Sequence, residues 1–186
     1  SHKYLEDTLG SDWQEHYYIW DCAAGTGNLL EGLKNPKNVW ASTLEFEDVE
    51  TMKERPELNL LKDHVFQFDF LNDSFDKLPK DLFEIISNED KRKKLIVYIN
   101  PPYAEAGNGR SRKIKPKNGI SNKHNTYVKY KSLLKSASTE LFSHFLIRIY
   151  MEINGCLIAE FSKTKILLGL NYVNFRHVFK AKLLKL

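Results

Sequence analysis

Residues 95–103 read LIVYINPPY, a continuous apolar run that ends on an amide, two prolines and an aromatic ring. The run over 95–99 predicts a buried strand. Because the prolines fix φ and remove two backbone donors, the carbonyls of Asn100 and Pro101 can accept from another molecule. The Asn100 side-chain oxygen and the Pro101 carbonyl together can accept both hydrogens of a planar amino group, while Tyr103 offers its ring a flat face. The segment, completed by Pro102, is therefore a candidate substrate site, with an ordinary Asn-Pro turn as the alternative.

Elsewhere the chain alternates between short apolar runs and segments of helical period. Such alternation, with continuously apolar strands, predicts an α/β fold with a mostly parallel, doubly wound sheet. Ligands of these sheets bind beyond the carboxyl ends of the strands, near the topological switch point. The predicted strands cover 16–21, 39–44, 64–68, 95–99 and 156–161; the predicted helices begin at Leu29, cover 47–55 and, after an N-cap at Ser138, cover 140–153; residues 182–186 are expected to enter a further strand.

Polar residues stand where the first two predicted strands end. The first ends on Asp21 and a Gly-x-Gly turn, in which Gly25 and Gly27 carry no side chain to obstruct a ligand. The third glycine of a dinucleotide fingerprint is replaced by Leu30, so a pyrophosphate site is not indicated. The second strand ends on Glu45, whose carboxylate can accept from both hydroxyls of a ribose. An ordinary exposed strand-end acid is the alternative interpretation of Glu45.

The third predicted strand ends on Asp69 and Phe70. Asp69 can accept from an adenine amino group, while Phe70 packs on the purine or, alternatively, belongs to the core. Because the carboxyl ends of parallel strands lie along one edge of a sheet, all four strand endings are expected to face one crevice. The ligand that they imply is an adenosine without phosphates.

The net charge of +4 is distributed unevenly along the chain. Residues 106–139 hold nine Lys or Arg and no Asp or Glu, and the other 19 basic and 24 acidic residues leave the remainder net −5. A solvated loop is one interpretation of the basic stretch at 106–126. A phosphate-binding strip beside the site is the other. Its candidate residues are Arg110, Arg112, Lys113, Lys115 and Lys117.

At 186 residues the chain is expected to form one domain. No apolar run is long enough to cross a bilayer and no signal peptide is evident, so we expect a soluble, cytoplasmic protein without a membrane partner. The two cysteines, Cys22 at the end of the first predicted strand and Cys156 at the start of the fifth, are expected to be reduced core residues in buried segments. No metal site is predicted, and His64, His124, His144 and His177 receive no role because they show no ligand spacing.

Two of these segments resemble motifs of a known family. Residues 21–30, DCAAGTGNLL, resemble the first motif of the adenine-N6 DNA methyltransferases of bacterial restriction-modification systems, and residues 100–103 resemble their fourth motif. The order of the motifs resembles the gamma arrangement, and the resemblance covers about 17–161. It implies a Rossmann-like class I methyltransferase domain, with S-adenosylmethionine as cofactor. The cofactor roles that it implies fall on Asp21, Ala23, Gly25, Gly27, Glu45, Asp69 and Phe70, and the catalytic roles on Asn100, Pro101, Pro102 and Tyr103.

The resemblance further implies methyl transfer to the N6 amino group of an adenine that is flipped out of double-stranded DNA and stacked on Tyr103. Other domains or subunits of a restriction-modification enzyme are then expected partners. The chain departs from the family, because residues 3–13 do not match its upstream cofactor motif and a target-recognition region is missing. We therefore expect a partial catalytic domain, truncated before its final strands. The alternatives are a methyltransferase of a protein glutamine amide or an RNA guanine amino group, and an inactive cofactor- or DNA-binding fragment.

Overall fold

A computed structural model describes residues 2–102, 123–161 and 164–186 of the chain. None of the helices in these ranges has the length and apolar character that crossing a bilayer demands. The strands are β1 (Tyr18–Asp21), β2 (Val39–Thr43), β3 (Val65–Gln67), β4 (Leu95–Ile99) and β5 (Leu157–Glu160). The helices are α1 (His2–Leu9), α2 (Trp13–His16), α3 (Phe46–Lys53), α4 (Lys80–Ser87), α5 (Glu89–Arg92), α6 (Asn125–Leu134), α7 (Leu141–Glu152), α8 (Lys165–Leu168) and α9 (Val173–Val178).

The five strands form one sheet in the order β3-β2-β1-β4-β5, and every neighbouring pair is parallel. In the centre of the sheet, Trp20 of β1 lies opposite Trp40 of β2 and Val97 of β4. The chain builds outward from β1 to β3 and then returns to β4 on the other side of β1, so the topological switch point lies between β1 and β4. The predicted α/β architecture is confirmed, and the arrangement is compatible with a Rossmann-like fold.

Helices cover both faces of the sheet, which explains why most residues of its strands are apolar on both faces. Alternate side chains of β4 enter different clusters, since Val97 packs towards α4 and α7 whereas Ile96 packs towards α1, α2 and α3. All five residues of β4 are buried. A third cluster joins α6, α7 and α9 beside the sheet. The prediction of a doubly wound sheet is therefore confirmed for the described residues.

Several predicted boundaries are wrong at the start of the chain. Residues 16 and 17 do not begin β1, because His16 ends helix α2. The helix expected from Leu29 is only a 3-10 turn, Asn28–Leu30. It ends because Glu31 takes an extended ψ of 131° and the Lys34 N–H donates to Gln14 Oε1 at 2.7 Å, which ties this segment to α2.

Further predictions fail towards the C-terminus. Ser138 does not cap α7, because residues 135–139 form a 3-10 turn and Glu140 occupies the N-cap position. Residues 182–186 form no strand, since no neighbouring strand pairs with them. Cys22 directly follows β1 and is buried, whereas Cys156 lies one residue before β5, outside the strand predicted over 156–161, and is half-buried. Both are free thiols.

Candidate functional site

A cavity of about 330 Å³ lies beyond the carboxyl ends of the strands, at the switch point of the sheet. The segments that follow β1, β2, β3 and β4 all contribute to its wall, so the prediction that four strand endings face one crevice is confirmed. Its lining residues include Ala23, Gly25, Glu45, Asp69, Phe70, Asn100 and Pro102 from the predicted site, and Asp48, Asn72, His124, Leu141 and Phe145, which had not been predicted.

The glycine turn after β1 presents one glycine to the cavity and buries the other. Gly25 has a φ of +52°, and a Cβ built on it would meet no atom within 4 Å. Gly27 has a φ of +85°, and a Cβ there would lie 2.7 Å from Leu58 Cδ1 and 3.1 Å from Met52 Cγ. Gly25 therefore leaves room at the cavity wall, whereas Gly27 allows the turn to pack on the residues behind it.

Asp21 is hydrogen-bonded to the backbone of this turn and is not part of the cavity lining. Its side chain is buried, and its Oδ1 accepts a hydrogen bond of 3.0 Å from the Ala23 N–H. Burial raises the pKa of Asp21 to about 7, and the bond from Ala23 opposes the shift. The contribution that the geometry indicates for Asp21 is thus to hold the turn that presents Ala23 and Gly25.

Two carboxylates follow β2 at the rim of the cavity. Glu45 is exposed at the N-cap position of α3, where its side chain makes no capping hydrogen bond. Asp48 lies one turn further along α3 and also lines the cavity, with Thr43 Oγ1 donating to its Oδ2 at 3.5 Å. Glu45 and Asp48 are three residues apart at the start of a helix, so they lie on the same side of it. This spacing is the sequence signal that could have indicated Asp48.

Asp69 shapes the turn that follows β3. Its Oδ1 accepts from the N–H groups of Leu71 at 3.0 Å and Asn72 at 3.2 Å, and its Oδ2 accepts from Asn72 Nδ2 at 2.7 Å. A carboxylate has about four acceptor positions, two on each oxygen, so Oδ2 keeps one for a ligand.

Phe70 is both a core residue and part of the cavity wall. It is 3 % exposed, and its ring stacks on Phe145 with a centroid distance of 5.3 Å and lies edge-on to Trp20 at 5.5 Å. The core interpretation of Phe70 is therefore correct, and its contact with a purine stays a prediction.

The polar segment after β4 reaches the cavity through Asn100 and Pro102, which are both exposed. Pro101 is buried and does not line the cavity. Tyr103 lies outside the described residues. The basic candidates Arg110, Arg112, Lys113, Lys115 and Lys117 also lie outside them.

His124 enters the cavity wall although the sequence assigned it no role. Its Nδ1 accepts from the Tyr127 N–H at 3.0 Å, so its Nε2 is the protonated nitrogen, which lies 2.9 Å from His144 Nδ1. His144 then donates from Nε2 to the Ser138 carbonyl at 2.8 Å. Burial and, secondarily, the neighbouring His144 lower the pKa of His124 to about 4. The pair is therefore neutral at pH 7, and both imidazoles are fixed in orientation.

The cavity wall is acidic. Glu45, Asp48 and Asp69 contribute three carboxylates, and none of the described residues that line it is a lysine or an arginine. Such a wall disfavours phosphate groups and favours a cationic ligand. The wall therefore suits a ligand that carries a positive charge better than one that carries phosphates.

A larger cavity of about 610 Å³ shares Leu71 and Asn72 with the first. Its principal charged groups bond one another: Arg148 Nε donates to Glu152 Oε2 at 2.9 Å, and Lys129 Nζ lies 2.7 Å from Glu152 Oε1. Arg148 also donates to the carbonyls of Phe70 and Asp73. Because Arg148, Lys129 and Glu152 are already bonded to protein groups, they are less available to a ligand. We therefore assign the ligand site to the smaller cavity.

Among the described residues, no group of three or more His, Cys, Asp or Glu side chains is placed to hold a metal ion. Comparison of the chain with protein-family profiles, with curated proteins and with solved structures returned no match.

Proposed function

We propose that this chain is the catalytic domain of an S-adenosylmethionine-dependent methyltransferase of a bacterial restriction-modification system, which methylates the N6 amino group of a flipped-out adenine in double-stranded DNA. The observation that carries the proposal is the single cavity at the switch point. The open Gly25, the acids Glu45 and Asp69, and Asn100 all line it. This combination supports a site in which an adenosine cofactor and a planar amino group meet.

The cofactor half of the proposal rests on the character of the wall. The backbone at Gly25 admits close approach, Glu45 can accept from the ribose hydroxyls, and Asp69 Oδ2 retains one acceptor position for an amino group. The three carboxylates favour the positively charged sulfonium.

The substrate half of the proposal rests on Asn100, which lines the cavity, whereas the part that the sequence predicts for the Pro101 carbonyl has no support from the cavity lining. When bound, S-adenosylmethionine would supply a methyl group: its bond to sulfur would break as a bond to nitrogen forms, the sulfonium would become a neutral thioether, and the proton displaced from the nitrogen would pass to solvent water. The Asn100 side chain accepts one N–H of the amino group. This bond favours a pyramidal nitrogen whose lone pair points out of the plane of the ring. The same oxygen opposes the positive charge that grows on that nitrogen. Positioning provides the rest of the acceleration.

DNA is favoured as the substrate by the distribution of charge. The stretch 106–139 carries nine basic and no acidic residues and follows the candidate catalytic segment after Ala104 and Glu105. Lysine and arginine in such a strip neutralise phosphates. A glutamine amide and an RNA guanine also present planar amino groups. They are therefore the alternative methyl acceptors with which DNA has to be compared.

The proposal predicts a separation of binding from catalysis in Asn100→Ala. We expect the variant to bind S-adenosylmethionine in calorimetry within twofold of the unmodified protein. Transfer of labelled methyl groups should fall at least about 100-fold, because an acceptor that acts in the transition state is lost. Asn171→Ala, at an exposed position outside the cavity, is the matched control and should keep full transfer. Unchanged transfer by Asn100→Ala would refute the assignment.

A further inference from the structure

Asn72 occupies a place in the cavity wall that gives its side chain a defined direction. It is exposed, lines the cavity and belongs to the turn shaped by Asp69. Its backbone N–H donates to the Asp69 carbonyl at 3.0 Å and to Asp69 Oδ1 at 3.2 Å. The position of Asn72 relative to Asp69 is therefore fixed by the main chain.

The orientation of the Asn72 amide follows from its partners. Its Oδ1 accepts from the backbone N–H of Asn125 at 2.9 Å, and a backbone N–H can only donate. The oxygen end of the amide therefore faces the start of α6, and the nitrogen end faces Asp69, with Nδ2 2.7 Å from Oδ2. A rotation of the amide by 180° would exchange Oδ1 and Nδ2 and break both bonds, so the orientation is assigned from these partners.

The start of α6 also holds the main chain of the turn. Asn125 Nδ2 donates to the Asn72 carbonyl at 2.9 Å. The N–H and Oγ1 of Thr126 both donate to the Leu71 carbonyl, at 3.0 and 2.8 Å. These bonds make the Asp69 and Asn72 side chains a rigid pair in the cavity wall.

This pair places an acceptor and a donor side by side. Asp69 Oδ2 keeps one acceptor position, and Asn72 Nδ2 carries two hydrogens, of which the bond to Asp69 uses one. Along one edge, adenine presents an amino group, which donates, and a neighbouring ring nitrogen, which accepts. Hypoxanthine and guanine present a carbonyl oxygen and an N–H at the same positions, so both contacts would be reversed.

We infer that Asn72 is a specificity-determining residue, and that its Nδ2 donates to the ring nitrogen beside the amino group of the bound adenine while Asp69 Oδ2 accepts from the amino group. The inference rests on the proposed function, since it assumes an adenosine cofactor in this cavity. The inferred hydrogen bond from Asn72 would recognise the adenine ring, and no sequence motif had indicated Asn72 for this purpose.

The test compares two ligands that differ in one atom. The probes are S-adenosylhomocysteine and its 1-deaza counterpart, in which the ring nitrogen beside the amino group is replaced by C–H. In calorimetry, the unmodified protein should bind the first about tenfold more tightly, because the second leaves the Asn72 donor without its partner. Asn72→Ala should bind the two ligands within twofold of each other. Asn125→Ala is the matched control: it removes one bond to the turn but keeps the backbone N–H that orients Asn72, so it should retain the preference.

Each outcome has a distinct meaning. Equal binding of both ligands by the unmodified protein refutes the role of Asn72 even if a variant does not fold. A tenfold preference that persists in Asn72→Ala refutes it as well, because a purely structural role would weaken both ligands alike. No binding of S-adenosylhomocysteine by the unmodified protein overturns the proposed cofactor, and the inference with it.

Discussion

Gly25 and Gly27 lie two residues apart in one turn, and both take a left-handed φ, but their surroundings differ completely. Gly25 faces open space in the cavity, whereas Gly27 lies against Leu58 and Met52 in the core. The difference shows that a Gly-x-Gly pattern combines two requirements. One glycine makes room for a ligand, and the other lets the turn that carries it pack on the protein.

The largest effect is expected when Gly27 is replaced. In Gly27→Ala, the left-handed backbone costs about 1–2 kcal/mol and the overlap with Leu58 about 1–3 kcal/mol more, so the free energy of unfolding should fall by about 2–5 kcal/mol. Chemical denaturation measures it. Gly155→Ala is the matched control, because Gly155 has a φ of +94° and open space around it. Equal losses in the two variants would show that packing behind the turn contributes nothing.

The next effect concerns Asp21 beneath the turn and depends on pH. Because the pKa of Asp21 is raised to about 7 from its ordinary value of 3.8, its contribution to stability is full below pH 3.8 and is lost as the pH rises through 7. Asn at this position keeps the acceptor for the Ala23 N–H but cannot ionise. Relative to the unmodified protein, Asp21→Asn should therefore gain about 3 kcal/mol between pH 4.5 and pH 8. A stability difference that is independent of pH would contradict the buried position of this carboxylate.

The smallest effect on stability is expected at Gly25, where the effect on binding should be large. Gly25→Ala should cost about 1 kcal/mol, from the left-handed backbone alone. Its methyl group enters the cavity, so we expect the affinity for S-adenosylhomocysteine to fall about tenfold or more in calorimetry. Gly155→Ala, which lies outside the cavity, should bind as the unmodified protein does. If both variants keep full affinity, the ligand does not approach the glycine turn.

The sequence predicted those parts of the molecule that depend on local pattern. β4 covers the same residues, 95–99, as its prediction, because an apolar run between polar residues is a local signal. The sequence also predicted that one cavity would be lined by Gly25, Glu45, Asp69 and Asn100. This was predictable because the carboxyl ends of parallel strands lie along one edge of the sheet.

The remainder depends on contacts between distant segments. The 3-10 turn at Asn28–Leu30 ends where the following residues bond to Gln14, which lies before β1. Asn72 and His124 acquire their places in the cavity wall through bonds to Asn125 and His144. No residue pattern within either segment specifies such pairings, and this is why both residues were missed.

The most direct test of the central claim is methyl transfer by the unmodified protein from labelled S-adenosylmethionine to unmethylated double-stranded DNA of mixed sequence. RNA and a glutamine-containing peptide serve as competing acceptors. The label should enter DNA and be recovered as N6-methyladenine after digestion. Label in the RNA or the peptide, or cofactor binding without transfer to any of the three acceptors, would contradict the account.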